Sequence, residues 1–407
     1  HLTGILCSLS GGFDSSLVLS LLMHAAKRPE VLSVNRFAFG PAGDERQYAR
    51  VAAQAAGVEL LELPYEERPL EAVCSEIPTT VKPTIAQVFA GMDTQTKDTL
   101  ATCRDIEAIW TGQGGDHLFM AIKTGMAIVD CFRHIGFGPP LWTAFRDAAT
   151  LTGKSYLHLA RDALALRHSG NFFSVAKIAP STHLLAADYP LEDFDTYTRH
   201  PWTAASAALR PAKRLQVVYL AEVLNRHRPN YGIQKLQEFH PLLSQPLIEL
   251  CLRIPVYHLL TTGKTRGLAR KAFRIDLPPA IRDRQRKGQT THHALGLLRD
   301  NQPFVIARLL DGHLANQRLV NREALRAALQ PSAPISGPTL FSLFACLAAE
   351  VWLEDWIGSK SARFAPTHSD MSAVRTAAIA ANTRSPASAA VATSALRKVW
   401  SRERRKP

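Results

Sequence analysis

The sequence predicts an α/β fold, in which a parallel doubly wound sheet is followed by a helical C-terminal extension. Over about the first 120 residues, short runs of β-forming residues alternate with helical patterns, and this alternation is typical of a parallel sheet. From about residue 140 onward, long helical patterns broken by prolines replace the strands. Two glycine turns follow predicted strands, and ligands of such sheets bind beyond the carboxyl ends of the strands.

Each predicted element follows from a local pattern. Gly57 is the natural stop of the second helix, because glycine readily adopts the left-handed conformation that ends helices. A loop containing four prolines separates the third strand from a polar helix. The predicted strands cover 4–9, 31–39, 58–63 and 107–111, and the early helices cover 15–26, 44–56 and 87–104. The later helices are predicted over 156–166, 213–226, 246–253, 263–274 and 340–356.

The chain of 407 residues is too long for one ordinary core. We expect a nucleotide-binding α/β core over 1–135 and a helical region over 136–357 that binds substrate and completes the active site. The Ala/Ser-rich basic tail over 358–407 contains little core-forming material and is predicted to be flexible.

Composition excludes several classes of protein. Hydrophobic residues make up 46% and charged residues 20%, so wholesale disorder is excluded. No apolar run approaches the ~20 residues of a membrane span, and the start does not resemble a signal peptide. The six cysteines are scattered without a Cys-x-x-Cys pair, which argues against a disulfide framework or a zinc ribbon and favours a reducing cytoplasm.

The positive charge is concentrated in two segments. The net charge is +13, of which the stretch 264–287 carries +7 and the stretch 397–406 carries +5. The first stretch is flanked by apolar, helix-patterned sequence and is therefore expected in the folded body, where an anion must offset its charge.

The first glycine turn has the composition of a phosphate-binding loop. It reads Ser-Gly-Gly-Phe-Asp-Ser-Ser over 10–16, between a predicted strand and a predicted helix. Backbone N–H groups at the start of a helix bind phosphate, and Asp14 is suited to hold a magnesium ion that bridges phosphate oxygens. No lysine follows the turn, so it is not the loop of P-loop kinases.

The loop resembles the pyrophosphate loop of ATP pyrophosphatases, and the second turn, Thr-Gly-Gln-Gly-Gly-Asp over 111–116, resembles that of the asparagine synthetase superfamily. The helix after the second strand, with Asp-Glu-Arg-Gln-Tyr-Ala-Arg over 44–50, is also similar. The resemblance implies ATP and Mg²⁺ as cofactors, with Asp14 and Asp116 as the metal ligands. It implies a nucleotide site formed by Ser8, Ser10, Gly11, Gly12, Asp14, Ser15, Ser16, Thr111, Gly112 and Asp116.

The basic stretch carries a third similarity. His-Pro-Leu-Leu over 240–243 and the string from Leu277 to Gly288 resemble the superfamily's His-Pro-Phe-Leu and Arg-x-x-Lys-Gly elements. The resemblance implies catalytic roles for Arg284 and Lys287, with Lys287 stabilising the charge that develops when pyrophosphate leaves. A more compact alignment would place Arg286 at the lysine position.

Departures from the motifs of asparagine synthetase narrow the choice of enzyme class within the superfamily. Gln113 stands where that enzyme has glutamate, and a neutral amide cannot act as a base. The phosphate loop begins at residue 10 of the given sequence, so no glutaminase domain is expected within it, and whether a longer form carries one stays open. The Gln113 turn and the Arg-x-x-Lys-Gly-x-x-Thr string most resemble the corresponding motifs of lasso-peptide cyclases. The resemblance implies a bacterial cytoplasmic enzyme. It would join an Asp or Glu side chain of a ribosomal precursor peptide to the peptide's own amino terminus. A leader-peptide-binding protein and a leader peptidase are then expected partners, and nucleic acid is not.

Three alternatives stay open at this point. An asparagine synthetase-like amidotransferase or a β-lactam synthetase-like enzyme would form a different amide. The charge of +13 favours a tRNA-modifying adenylase, although no aromatic-studded RNA-binding module is present. A scaffold that has lost turnover is disfavoured by the intact Asp14 and Asp116.

Overall fold

A computed structural model gives the structure of the chain over residues 2–25, 29–37, 44–65, 69–76, 83, 85, 105–168, 182–188, 200–226, 236–285 and 290–357. The helix predicted over 87–104 and the tail over 358–407 lie outside these residues. Within the described ranges, no helix combines the length and apolar character that a membrane crossing requires.

A five-stranded parallel sheet forms the centre of the first part, as predicted. The strand order is β3-β2-β1-β4-β5. β2 and β3 are added on one side of β1, and β4 and β5 are added on its other side. The order therefore reverses between β1 and β4, and the crevice at such a reversal is where open α/β sheets bind ligands. The strands are β1 (Gly4–Ser8), β2 (Glu30–Phe37), β3 (Glu59–Pro64), β4 (Ala108–Trp110) and β5 (Gln237–Phe239).

The first two helices, α1 (Phe13–Met23) and α2 (Arg46–Ala56), lie close to their predicted ranges of 15–26 and 44–56. α1 covers the sheet after β1, and α2 ends at Gly57, whose φ of 66° is left-handed as expected. The described helices up to residue 168 are α1 (Phe13–Met23), α2 (Arg46–Ala56), α3 (Leu70–Glu76), α4 (Gly115–Leu118), α5 (Met126–Ile135), α6 (Pro139–Thr152) and α7 (Tyr156–His168).

The second part is helical, as predicted, and it supplies β5 to the sheet. The further helices are α8 (Pro201–Ala205), α9 (Pro211–Arg226), α10 (Gln245–Arg253), α11 (Val256–Leu259), α12 (Gly267–Ala272), α13 (Pro279–Arg282), α14 (Thr290–Asp300), α15 (Gln302–Asp311), α16 (His313–Asn316), α17 (Arg322–Ala328) and α18 (Gly337–Ile357).

The structure corrects the prediction at three elements: β5, the helix over 263–274, and α3, which lies in the segment predicted to be a proline-containing loop. β5 was missed because its three residues, Gln-Glu-Phe, are mostly polar and show no alternation. The helix predicted over 263–274 is shorter, because Thr262 and Arg266 have φ angles of 65° and 57° and α12 begins only at Gly267. The boundaries proposed between domains remain a prediction.

Apolar packing places the basic stretch in the folded body. Ile281 of α13 is fully buried, and α13 packs against α1 and α2 beside the phosphate loop. A separate apolar cluster, which unites α3 with α14, α15 and α18, lies in the C-terminal part. The basic stretch therefore approaches the carboxyl end of the sheet as part of the core.

Candidate nucleotide-binding site

The first glycine turn links β1 to α1 and is held by its own serines. The Ser10 amide donates to Ser15 Oγ at 3.2 Å, and the two serine hydroxyls lie 3.1 Å apart. Gly12 occupies the N-cap of α1, and glycine has no side chain with which to cap the first amides of the helix. The turn therefore presents backbone N–H groups at the positive end of a helix, which is the arrangement that binds phosphate.

Each glycine turn contains one position at which a neighbouring backbone approaches too closely for a side chain. Gly11 has a φ of 71°, and a Cβ there would collide with the backbone of Ala49 at the start of α2. A Cβ on Gly112 would overlap the amide nitrogen of Ser15. The second turn, which follows β4, is thus packed directly on the first.

A cavity of about 300 Å³ lies between the turns and the basic stretch. Its described lining combines both glycine turns with three arginines, so backbone amides, hydroxyls, carboxylates and guanidinium groups face one space. The lining residues are Ser8, Ser10, Gly12, Phe13, Asp14, Ser15, Thr111, Gly112, Gln113, Gly114, Asp116, His117, Arg266, Arg270, Arg284 and Gln285.

The two carboxylates expected to bind magnesium share one guanidinium. Arg266 donates from Nε to Asp14 Oδ1 at 3.0 Å and from Nη2 to Asp14 Oδ2 at 2.9 Å, and its Nη2 also pairs with Asp116 Oδ1. Asp14 and Arg266 are 8% and 9% exposed, so this pair is largely withdrawn from water. The acids of the two turns are therefore neighbours on the same side of the sheet.

The donor set fits magnesium-bound ATP. Mg²⁺ in nucleotide sites is usually bound by one or two carboxylates together with phosphate oxygens, and Asp14 and Asp116 provide two such carboxylates. The helix start at Gly12 and the guanidinium groups of the cavity are suited to the anionic polyphosphate.

Arg284 links the basic stretch to the phosphate loop. Its guanidinium donates to the Gly11 carbonyl at 3.2 Å, pairs with Glu45 and lies 3.7 Å from the centroid of the Tyr48 ring. Three contacts of different kinds thus hold one planar group at the edge of the cavity.

Arg270 is the most deeply buried cation of the cavity. It donates to the Thr265 carbonyl at 2.9 Å and to the Arg282 carbonyl, and it lies 4.9 Å from the centroid of the Phe13 ring. Burial, and next the neighbouring Arg266, lowers its pKa to about 10. The group remains charged at neutral pH and adds to a positive potential facing the cavity.

The His-Pro-Leu-Leu element supports the second turn. His240 Nδ1 lies 2.6 Å from Thr111 Oγ1, and the same hydroxyl accepts the Gln113 amide at 3.2 Å. Because β5 pairs with β4, His240 follows the neighbouring strand and reaches the turn directly.

The structure brings most of the predicted site residues together. Gly11 contacts the site through its carbonyl, whereas Ser16 is 2% exposed and its hydroxyl has no hydrogen-bond partner among the described residues. Lys287 and the alternative Arg286 lie outside the described residues. The predicted residues that line the cavity are Ser8, Ser10, Gly12, Asp14, Ser15, Thr111, Gly112, Asp116 and Arg284.

Seven of the sixteen described lining residues were not among the predicted site residues: Phe13, Gln113, Gly114, His117, Arg266, Arg270 and Gln285. Arg266 and Arg270 were counted only as members of the basic stretch, and Gln285 and His117 were given no role. His117 directly follows Asp116, and its ring lies 5.6 Å from that of Tyr219. The clustering of basic residues in apolar sequence was the signal that could have identified the arginines.

Comparison with known proteins agrees with this geometry. A search of curated proteins found no match. The profile of the family described as Asparagine synthase matches residues 4–354, which include both glycine turns, the basic stretch and nearly all of the helical part. The chain therefore belongs to the asparagine synthase family, whose members are ATP-dependent amide-forming enzymes.

Proposed function

We propose that this protein is an AMP-forming, magnesium-dependent ligase that activates an Asp or Glu side chain of a ribosomal precursor peptide and joins it to the peptide's own amino terminus. The observation that carries the proposal is the sharing of one guanidinium by Asp14 and Asp116 in a cavity that Gln113 also lines. The precursor peptide as substrate rests on the resemblance of the Gln113 turn and the Arg-x-x-Lys-Gly string to lasso-peptide cyclases.

The reaction has two balanced steps. The peptide carboxylate attacks the α-phosphorus of ATP, so that an acyl-adenylate forms and pyrophosphate leaves. The amine then attacks the acyl carbon, the amide bond forms, and AMP and one proton are released. Bound magnesium would neutralise phosphate charge, while the backbone amides in the first turn of α1 and the guanidinium groups of Arg270 and Arg284 stabilise the departing pyrophosphate.

The second step requires a group that removes a proton from the amine. Asp14 and Asp116 pair with Arg266, and Gln113 cannot accept a proton as a base. Among the described side chains that line the cavity, the imidazole of His117 carries a ring nitrogen that can accept a proton. We assign His117 to this role.

The substrate class is tested with the full chain, ATP, MgCl₂ and a panel of linear peptides that each carry one Asp or Glu side chain and a free amino terminus. We expect AMP and a peptide that has lost one water. Replacement of the acidic side chain by its amide should abolish both products, whereas acetylation of the amino terminus should abolish only the ring. Formation of ADP, or AMP release that does not depend on the acidic side chain, would contradict the proposal.

The role of His117 is tested by separating the two steps. Hydroxylamine is largely unprotonated at neutral pH and captures an acyl-adenylate as a hydroxamate without needing a base. We expect His117→Gln to slow ring closure by about 100-fold and to leave hydroxamate formation near the wild-type rate. Equal loss of both reactions would show that His117 does not act on the amine.

A further inference from the structure

Arg266 occupies the carboxylates that magnesium is expected to use. It donates two hydrogen bonds to Asp14, at 3.0 and 2.9 Å, and also pairs with Asp116. All three residues line the cavity, which places this guanidinium between the two glycine turns rather than at the protein surface.

The backbone holds Arg266 in this position. Its φ of 57° is left-handed, a conformation that a residue with a long side chain rarely adopts. Its amide donates to the Met120 carbonyl at 3.1 Å, and α12 begins at the next residue. The main chain is thereby fixed beside the second turn, and exchange of partners requires only that the side chain rotate.

Arg266 and a magnesium ion compete for the same carboxylate oxygens. Mg²⁺ requires near-octahedral oxygen ligands at about 2.1 Å and tolerates little distortion. A guanidinium within hydrogen-bond distance of the same carboxylates repels a divalent cation, and the repulsion is strongest at Asp14, which is largely withdrawn from water. Magnesium on these acids therefore requires that Arg266 move to another anion.

The polyphosphate is the anion that can replace the carboxylates. Guanidinium groups bind phosphate with two parallel hydrogen bonds, as they bind carboxylate. Arg266 would otherwise remain partly buried close to the charged Arg270 and a metal ion, with its carboxylate partners engaged.

We propose that Arg266 makes the binding of magnesium and of the nucleotide polyphosphate interdependent, because it leaves Asp14 and Asp116 for the metal only when phosphate oxygens take their place. This role rests on the proposed use of magnesium-bound ATP. Free Mg²⁺ competes with Arg266 for the carboxylates and therefore binds weakly. When Mg²⁺ arrives with its nucleotide, Arg266 exchanges the carboxylates for phosphate oxygens, and the metal takes the carboxylates.

The test is isothermal titration calorimetry on the full chain with two probes, Mg²⁺ alone and the preformed complex of Mg²⁺ with α,β-methylene-ATP. We expect Arg266→Gln to strengthen the binding of Mg²⁺ alone by about tenfold and to weaken the complex by about tenfold. Arg266→Lys keeps the charge but lacks the planar fork, and we expect it to lie between wild type and Arg266→Gln.

Arg284→Gln is the matched control. It removes the same charge from the same cavity, but Arg284 pairs with Glu45 instead of the metal carboxylates, so Mg²⁺ alone should gain less than about threefold. Circular dichroism confirms that each variant is folded.

The outcomes separate the two proposals. If Arg266→Gln binds the complex but leaves the affinity for Mg²⁺ alone unchanged or weaker, the role of Arg266 is overturned while magnesium-bound ATP remains. If Arg266→Gln strengthens Mg²⁺ binding no more than Arg284→Gln does, the gain in affinity comes only from removing a positive charge from the cavity, and the role of Arg266 is again overturned. If the wild-type protein does not bind the complex, the proposed function itself is wrong.

Discussion

Buried carboxylates are used differently in the cavity and in the helical part. In the cavity, Asp14 faces a side-chain cation that lies 252 positions further along the sequence. In the helical part, Asp130 of α5 accepts the amides of Ala212 and Lys213, each at 3.0 Å, and Glu350 of α18 accepts two amides at the start of α16.

The difference shows which acids can exchange partners. An amide at the start of a helix is fixed by the backbone, so an acid that caps it remains satisfied only in that geometry. A guanidinium on a long side chain can turn away and leave its carboxylate to a metal ion. Asp130 and Glu350 therefore stabilise the fold, whereas Asp14 is available for ligand binding.

The largest expected effect belongs to Asp14. Asp14→Asn should lower AMP formation by at least about 1000-fold, because a neutral amide is a weaker ligand for magnesium and does not offset its charge. The free energy of unfolding should fall by less than about 2 kcal/mol, since the amide still accepts a hydrogen bond from Arg266. Product assays and urea unfolding measure the two quantities, and a comparable loss of both would erase the contrast with the helical acids.

Glu350 should show the opposite pattern. It is fully buried and accepts the amides of His313 at 2.8 Å and Leu314 at 2.6 Å. Glu350→Ala leaves both amides without this acceptor and should lower the free energy of unfolding by about 3 kcal/mol. Urea unfolding measures the loss, with Glu350→Gln as the smaller control change. A marked loss of nucleotide affinity in folded Glu350→Ala would contradict a purely structural role.

The pH dependence of stability tests Asp130. Burial raises its pKa from 3.8 to about 6, although the two helix amides oppose this shift. Between these values the folded state binds more protons than the unfolded chain, so the stabilising contribution of Asp130, complete below pH 3.8, is lost as pH rises through about 6. Asp130→Asn cannot ionise and should reduce the stability difference between pH 4 and pH 6.5 by about 2 kcal/mol. Urea unfolding at both pH values measures this, and an unchanged difference would refute the raised pKa.

The smallest effect is expected at the surface pair of Arg50 and Glu62. The pair joins α2 to β3 with a distance of 2.5 Å, but the Arg50 side chain is 59% exposed. Arg50 lowers the pKa of Glu62, yet solvent screens such pairs, so Glu62→Gln should change the free energy of unfolding by less than about 1 kcal/mol. Thermal unfolding in low and high salt measures this contribution. A loss as large as that of Glu350→Ala would mean that burial does not decide which acids matter.

Local patterns made much of the fold and of the glycine turns predictable. A parallel sheet is buried on both faces, so β1 reads as an apolar run, and α2 ends where a glycine permits a left-handed residue. β5 was not predictable in this way, because two of its three residues are polar and the segment joins the sheet only by pairing with β4. The same limit applies to α12, whose start is set by the left-handed Arg266 and not by its apolar spacing.

By itself, the sequence determined that two turns with the chemistry of phosphate and metal binding follow β1 and β4, since backbone conformation and side-chain chemistry at a turn depend on adjacent residues. Only the tertiary structure decided which cation meets their carboxylates. Asp14 and Arg266 are 252 positions apart, and they meet because α12 and α13 fold back over the carboxyl end of the sheet. Of the several basic residues in the stretch 264–287, packing selected the one whose backbone is fixed beside the second turn.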